Sequence, residues 1–271
     1  MKKQIDIGGV PFNPVTYPQV IDEIVDFISQ EKQAYITTPN PEMVLDAQRN
    51  ERFKRVLNDA NLSIPDGIGI LWASYYLSLP KKRGISGVIQ LLISLYTALF
   101  FQKKIKTILP ARVTGSDLFE KVVIESQNYN WKIFLLGAGP GIAKIAIDNL
   151  LQKYPKAIFA GCYAGTPKMD DESEICDEIN RSKADILFVA YGCPSQELWI
   201  SRNLPKLETV KVAIGVGGAF DFAAKKIRRA PRIIQKIGLE WLWRLILQPS
   251  RIKRIWNATF VFVSFIYKLK T

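Results

Sequence analysis

Short apolar runs alternate with stretches of helical periodicity along most of the chain. The runs predict strands near Gln4–Ile7, Ala34–Thr37, Leu62–Ile64, Lys132–Leu136, Ala157–Ala160, Ile186–Ala190 and Val210–Ile214. Helical patterns fall near Pro18–Gln30, Pro41–Asn50, Ile68–Tyr76, Ser116–Gln127, Gly141–Tyr154, Asp170–Ser182 and Ser195–Asn203. Pro18 and Pro41 sit in first turns, and Ser116-Asp117 suits a helix cap. This alternation predicts an α/β fold, a Rossmann-like α/β/α sandwich with a mostly parallel sheet.

Two apolar runs break the rhythm. Gly87–Phe101 lies between KKR and QKKIK, and Ile255–Tyr267 lies between RIKR and KLK. Both are shorter than the ~20 residues that span a bilayer. Two readings stay open for them: interfacial segments with cationic flanks, or buried core helices. The first belongs to an excursion at 80–110, and the second ends a tail that begins near Ala224. The expected organisation is a core at 1–224, with the 80–110 insertion, followed by a basic amphipathic helical appendage at 225–271.

Charge sharpens the picture of that tail. From Lys225 to Thr271 there are twelve lysines and arginines against one acid, Glu240, while the whole chain carries +12. Trp241, Trp243 and Trp256 lie among these cations. Cations interleaved with indole rings suit an anionic membrane surface, and a solvated basic helix packed on the core is the plainer reading.

The chain has no histidine, which rules out Ser-His-Asp and Cys-His nucleophilic systems and His-ligated metals. A general base must then be a carboxylate or, failing that, a Lys, Tyr or Cys. Cys162, Cys176 and Cys193 have neither disulfide nor zinc spacing, as expected of a reduced compartment. The first residues, MKKQIDIGGVPFN, lack the apolar stretch of a signal peptide.

In parallel sheets ligands collect at the C-terminal strand ends. Three glycine turns fall there: Gly137-Ala138-Gly139, Tyr191-Gly192, and Gly215-Val-Gly-Gly218, the last followed by Asp221. Each lets backbone approach a phosphate and opens a helix whose N-terminus favours an anion. Gln196 and Glu197 lie in the first turn after Gly192, within expected reach of a ligand. The strand after the first turn runs through Cys162 and Tyr163 with no acid to hold a ribose, which argues against a dinucleotide or S-adenosylmethionine site. Thr38 and Asn40 end one strand and are expected to face the same crevice. Asp66, in Pro-Asp-Gly, ends the next and is a candidate base. Arg112 is a candidate for holding a diphosphate.

Taken in order, TPNPEM (38–43), PDGIGI (65–70), RVTGSDLF (112–119), FLLGAGPG (134–141), YGCPSQELWI (191–200), GVGGAFDF (215–222) and RAP…GLEWLWRL…PSR (229–251) resemble the WecG/TagA/CpsF glycosyltransferase family. The resemblance covers nearly the whole chain outside the insertion. It implies an inverting transferase that needs no metal or cofactor, moving a sugar from a UDP-sugar to a polyprenyl-diphosphate-linked glycan at the cytoplasmic face of the bacterial membrane. It further implies Asp66 as the base, Thr38 and Asn40 beside the donor, and Arg112 and Gln196 holding the donor and its leaving diphosphate. Gly137, Ala138, Gly139, Tyr163, Gly192, Gly218 and Asp221 would complete the UDP-sugar site. Arg244, Arg251 and Arg254 would close over the acceptor diphosphate when the tail meets membrane.

The chain departs from the family in the 80–110 insertion, which is expected to add a second membrane contact. It also has Ala224-Lys225 where relatives have a glycine after FDxxx. A Rossmann-like methyltransferase or dehydrogenase and a nucleic-acid-binding protein are the competing readings; the missing ribose acid opposes the former and the apolar runs the latter. The donor sugar and the polymer stay open, and a homo-oligomer masking the apolar tail is compatible with the pattern.

Overall fold

The computed structural model describes residues 3–231, 234, 238 and 240–271; Leu239 of the GLEW motif lies outside them. The chain begins with a hairpin. β1 (Ile5–Ile7) and β2 (Val10–Phe12) pair antiparallel, with Ile7 opposite Val10. Gly8 and Gly9 form the turn at φ +66° and +77°, the left-handed pair that a two-residue hairpin loop favours. The strand expected near Gln4–Ile7 therefore stays out of the parallel sheet. Asn13 ties the hairpin to that sheet: its N–H donates to the Ser63 carbonyl at 2.8 Å and its side chain accepts from the Ser63 N–H at 2.9 Å.

The core continues with α1 (Tyr17–Ser29), β3 (Ala34–Thr37), α2 (Pro41–Ala47), α3 (Glu51–Asn58), β4 (Leu62–Ser63) and α4 (Ile68–Ser78). The insertion supplies α5 (Gly84–Phe100) and α6 (Gln102–Ile105). Next come α7 (Gly115–Tyr129), β5 (Lys132–Gly137), α8 (Ile142–Lys153), β6 (Ile158–Tyr163), α9 (Glu172–Ser182), β7 (Ile186–Ala190), α10 (Ser195–Asn203), β8 (Val212–Gly215) and α11 (Ala219–Ala223). The tail holds α12 (Glu240–Leu247), α13 (Ile252–Trp256) and α14 (Phe262–Lys270), the last two joined by a π-helical turn at Asn257–Val261.

Local chemistry sets many of these starts. Gln19 reaches back to the Thr16 N–H at 2.9 Å, and Asn40, Asn50 and Thr114 accept from the third residue of their helices. The unexpected helix α3 is short and charged, yet Phe53, Val56 and Leu57 fall on its buried side.

Six strands form one sheet in the order β4-β3-β8-β7-β5-β6, and every pairing is parallel. Alternate residues feed opposite faces: Leu135 packs with α1, α7 and α8, and Leu136 with α9 and α10. This is the expected Rossmann-like sandwich. From β5 the chain moves outward to β6, and from β7 it moves the other way to β8. The switch point thus lies between β5 and β7, which places a ligand crevice beside the glycine turns that follow them.

A third apolar cluster lies outside the sandwich, formed by β1, β2, α2, α4 and the end of the tail. Phe262 and Ile266 of α14 are buried in it, and Phe262 meets the Trp72 ring edge-on at 6.5 Å between centroids. The Ile255–Tyr267 run is thus partly core, while Trp256 and Phe260 within it are exposed. Phe262→Ala is expected to lower unfolding free energy by about 3–5 kcal/mol. Phe260→Ala, 63 % exposed, should change it by no more than about 0.5 kcal/mol. Urea melts of the two variants check this.

Candidate active site

Three strand ends build the floor of the site. β3 leads into Thr38, β4 into Asp66 and β8 into the turn at Gly215–Gly218. The Asp66 N–H donates to the Pro39 carbonyl at 3.1 Å, and the Val113 N–H to the Pro65 carbonyl at 2.9 Å, so the TPNPEM, PDG and RVTG segments are sewn together. Gly67, at φ +97°, makes the turn that takes the chain from Asp66 into α4.

Thr38 differs from its expected exposure, whereas Asn40 stays partly exposed. Thr38 is buried, and its hydroxyl lies 3.4 Å from the Gly215 carbonyl. A Cβ on Gly115 would come within 3.3 Å of that hydroxyl and 3.4 Å of the Val216 backbone, so glycine permits the approach of α7. The Asn40 side-chain oxygen caps α2 through the Met43 N–H at 3.1 Å.

Asp66 has its pKa raised to about 6. Burial is the main cause; Arg112 and Arg244 act against it, Glu240 adds to it, and a hydrogen bond from the Gly115 N–H favours the carboxylate. Two charges of the tail therefore lie within electrostatic reach of this acid. The tail's sole acid, Glu240, is a site residue that the sequence reading passed over, although one carboxylate among twelve cations was a visible signal.

The same corner holds a network around the first turn of α7. Asp117 accepts from Thr114 Oγ1 at 2.8 Å and Tyr17 Oη at 3.1 Å and forms an ion pair with Arg229, whose Nε lies 3.8 Å from Glu240. These contacts hold the Asp117 carboxyl below its usual range despite burial. Burial pulls the Arg244 pKa down, and its guanidinium stacks on Phe222 at 4.5 Å. Arg254 forms a two-pronged pair with Glu42, with contacts of 2.6–3.0 Å, fastening α13 to α2. Arg251 bonds Gln248 at 3.1 Å. Of the three arginines expected over the acceptor, Arg254 thus pairs with the core, Arg251 bonds within the tail, and Arg244 is the one that acts on Asp66.

The glycine turns form the other wall. Gly137 (φ +99°) and Ala138 (φ +60°) are left-handed, and the Ala138 N–H donates to the Ala190 carbonyl at 3.2 Å. Gln196 stands between the second and third turns: its carbonyl oxygen accepts from the Gly192 N–H at 3.1 Å and the Gly217 N–H at 3.0 Å. Its amide donates to Glu197 at 2.7 Å, and burial raises the Glu197 pKa to about 7. Both side chains are buried, so they hold the turns rather than reach outward as expected. Gly218 starts α11, Asp221 in that helix faces Lys226 at 3.7 Å, and Tyr163 at the end of β6 donates to Glu174 at 2.7 Å. Lys225, at the turn into the tail, takes φ +58°, a left-handed conformation that favours glycine.

Among the described residues no group of three or more His, Cys, Asp or Glu side chains could hold a metal, and no helix is long and apolar enough to cross a membrane. A sequence profile for the family "Glycosyl transferase WecG/TagA/CpsF family" matches residues 5–102 and 97–271, with its seam in the insertion. The chain belongs to that glycosyltransferase family. Among similar proteins, one of Bacillus spizizenii is 30 % identical over 229 residues, 84 % of this chain and 77 % of its own. One of Staphylococcus aureus is 29 % identical over 268 residues, 98 % of this chain and 92 % of its own. Both are named N-acetylglucosaminyldiphosphoundecaprenol N-acetyl-beta-D-mannosaminyltransferase.

The raised pKa of Asp66 has a stability consequence. A carboxyl that is harder to ionise when folded favours the fold below its unfolded pKa of about 4, and that advantage disappears as pH rises through about 6. Above pH 7 the ionised side chain opposes folding. Asp66→Asn should therefore raise the melting temperature at pH 7.5 and leave it nearly unchanged at pH 4, as calorimetry at the two pH values would show.

Proposed function

We propose that the protein transfers a hexose, with N-acetylmannosamine the first candidate, from a UDP-sugar to a polyprenyl-diphosphate-linked saccharide, with inversion and without a metal ion. The observation that carries this reading is Asp66, a carboxyl of pKa about 6 that follows edge strand β4 at its C-terminal end, with Arg112 and Arg244 within electrostatic reach. At neutral pH such a group is ionised yet still basic enough to take a proton, close to the optimum for general-base work.

The step balances with the chain's own groups. The Asp66 carboxylate takes the proton of the acceptor hydroxyl as that oxygen bonds to the anomeric carbon. The bond to the UDP oxygen breaks on the opposite side, and UDP departs with the electron pair. Attack opposite the leaving group inverts the anomeric centre. Charge gathering on the diphosphate is met by arginines and by helix N-termini after the glycine turns. In this reading Arg112 and Arg244 meet that charge, and Arg251 and Arg254 would hold the acceptor diphosphate.

The names of the relatives support the mannosaminyl donor and the lipid-linked acceptor. A lipid acceptor also accounts for a tail that exposes Ile246, Trp256 and Phe260 while Arg244 lies within electrostatic reach of Asp66 and Arg254 pairs with Glu42 of the core. The reading places the enzyme as a peripheral protein at the cytoplasmic face of the bacterial cell membrane, with no nucleic-acid partner.

UDP release from a panel of UDP-sugars, with a polyprenyl-diphosphate-GlcNAc analogue as acceptor, tests the proposal. Wild type should release UDP only with acceptor present, and most rapidly with UDP-N-acetylmannosamine. Asp66→Asn should lose about 10²–10⁴-fold in kcat. Undiminished turnover in the variant would move the base elsewhere, to Glu42 or Asp221.

A further inference from the structure

Helix α5 is built inside out for a water-soluble protein. Its fully buried positions are small or polar, Gly87, Ser94, Thr97 and Ala98, with only Leu91 and Leu95 of its large apolar residues packed partly buried against the core. Ser94 accepts the Trp72 indole N–H of α4 at 3.0 Å, and Gly87 lies where an added Cβ would be 2.7 Å from the Lys82 carbonyl. The outward stripe is large and apolar. Ile85, Val88, Ile89, Leu92, Ile93, Tyr96, Leu99 and Phe100 recur at intervals of three and four, and each is 46–82 % exposed. A stripe of this size is far beyond the scattered apolar residues of an ordinary surface.

Three features say what covers it. Lys81, Lys82 and Arg83 precede the helix, and Lys103, Lys104 and Lys106 follow it, with no acid anywhere from Pro80 to Arg112. An apolar face with cations at both ends complements an anionic lipid surface. The helix has 17 residues, about 26 Å at 1.5 Å each, and lacks the length to cross the ~30 Å hydrocarbon layer, so its cationic ends suit a helix lying in the interface. Tyr96, with ring centroids 4.7 Å from Phe100 and 5.9 Å from Phe101, gives one end the aromatic character of headgroup depth.

We propose that α5 lies flat in the surface of an anionic bilayer as a second anchor, distinct from the tail. The inference rests on the lipid-acceptor reading above for its purpose, although the geometry stands on its own. α4 runs directly from the Asp66 turn toward α5, and its 11 residues span about 16 Å. The Gly87 position also lies close to Tyr267 of α14, with an added Cβ there 3.4 Å from its hydroxyl. The two anchors therefore share α4 and α14 as a frame, and together they fix the angle at which the crevice meets the membrane.

The test is sedimentation of the full chain with vesicles of 70:30 phosphatidylcholine:phosphatidylglycerol and of phosphatidylcholine alone. The combined variant Ile89→Gln, Leu92→Gln, Ile93→Gln alters only exposed side chains, so its melting temperature and its transfer to a short-chain soluble acceptor should stay at wild-type levels. Its partition onto anionic vesicles should fall at least tenfold, with a similar fall in transfer to a long-chain lipid acceptor. Replacing Lys81, Lys82, Lys103 and Lys104 by Gln should abolish the preference for anionic vesicles that remains after the tail's own contribution is saturated. Vesicle binding within twofold of wild type in the apolar variant would overturn the proposal. So would a wild-type oligomer that dissociates in that variant while lipid binding persists, since the face would then belong to a second copy. Vesicle binding needs no catalysis; failure of the transferase reading would appear instead as no transfer by wild type to either acceptor.

Discussion

The site depends on a carboxyl group held out of water among opposing charges. Burial alone would push Asp66 toward the neutral form and deprive it of any use as a base at pH 7. Arg112 and Arg244 pull the other way, while Glu240 limits how far they succeed. The outcome, near 6, requires residues from three distant parts of the chain to meet: the end of β4, the loop before α7 and the tail helix α12. Gly115, whose missing side chain lets α7 approach Thr38 and the Val216 backbone, makes that meeting sterically feasible, and Gly215 leaves the room that Gln196 and Glu197 occupy.

The tail consequently serves two physical ends at once. Its last helix is core, anchored by Phe262 and Ile266, whereas α12 and α13 leave Trp241, Ile246, Leu247, Ile252 and Trp256 exposed and reach the core through charged side chains, Arg254 pairing with Glu42. The Arg254–Glu42 and Arg229–Asp117 pairs fasten this middle portion over the crevice. Ion pairs that are partly exposed are individually weak and sensitive to salt. Two of the charges that set the Asp66 carboxyl, Arg244 and Glu240, lie on α12 of this portion.

The sandwich was legible because its signals are local. β3, β7 and α10 fall at the positions their patterns predict, since a buried parallel strand needs a continuous apolar run and a helix start needs a cap or proline. The β1–β2 hairpin was not, because three-residue strands carry little periodicity; the adjacent Gly8-Gly9 was the available sign. Helix α3 hid behind its charges. The site was legible in outline through the strand-end rule, but side-chain exposure was not. Thr38, Gln196 and Glu197 look like ligand contacts in sequence and are buried by groups more than a hundred residues away or by one another. The proximity of Glu240 to Asp66 likewise follows from tertiary closure, which no periodicity encodes. For α5 the sequence shows the apolar run and its cations, and only the packing of Ser94 and Gly87 on α4 and its approaches shows which stripe faces out.

The most direct test of the central claim is the pH dependence of kcat/KM in wild type, Glu240→Gln and Arg244→Gln. The account predicts an acidic limb near pH 6 in wild type, displaced to lower pH when Glu240 loses its charge and to higher pH when Arg244 does. A limb near 4, as for an open carboxylate, or a limb unmoved by both substitutions, would contradict it.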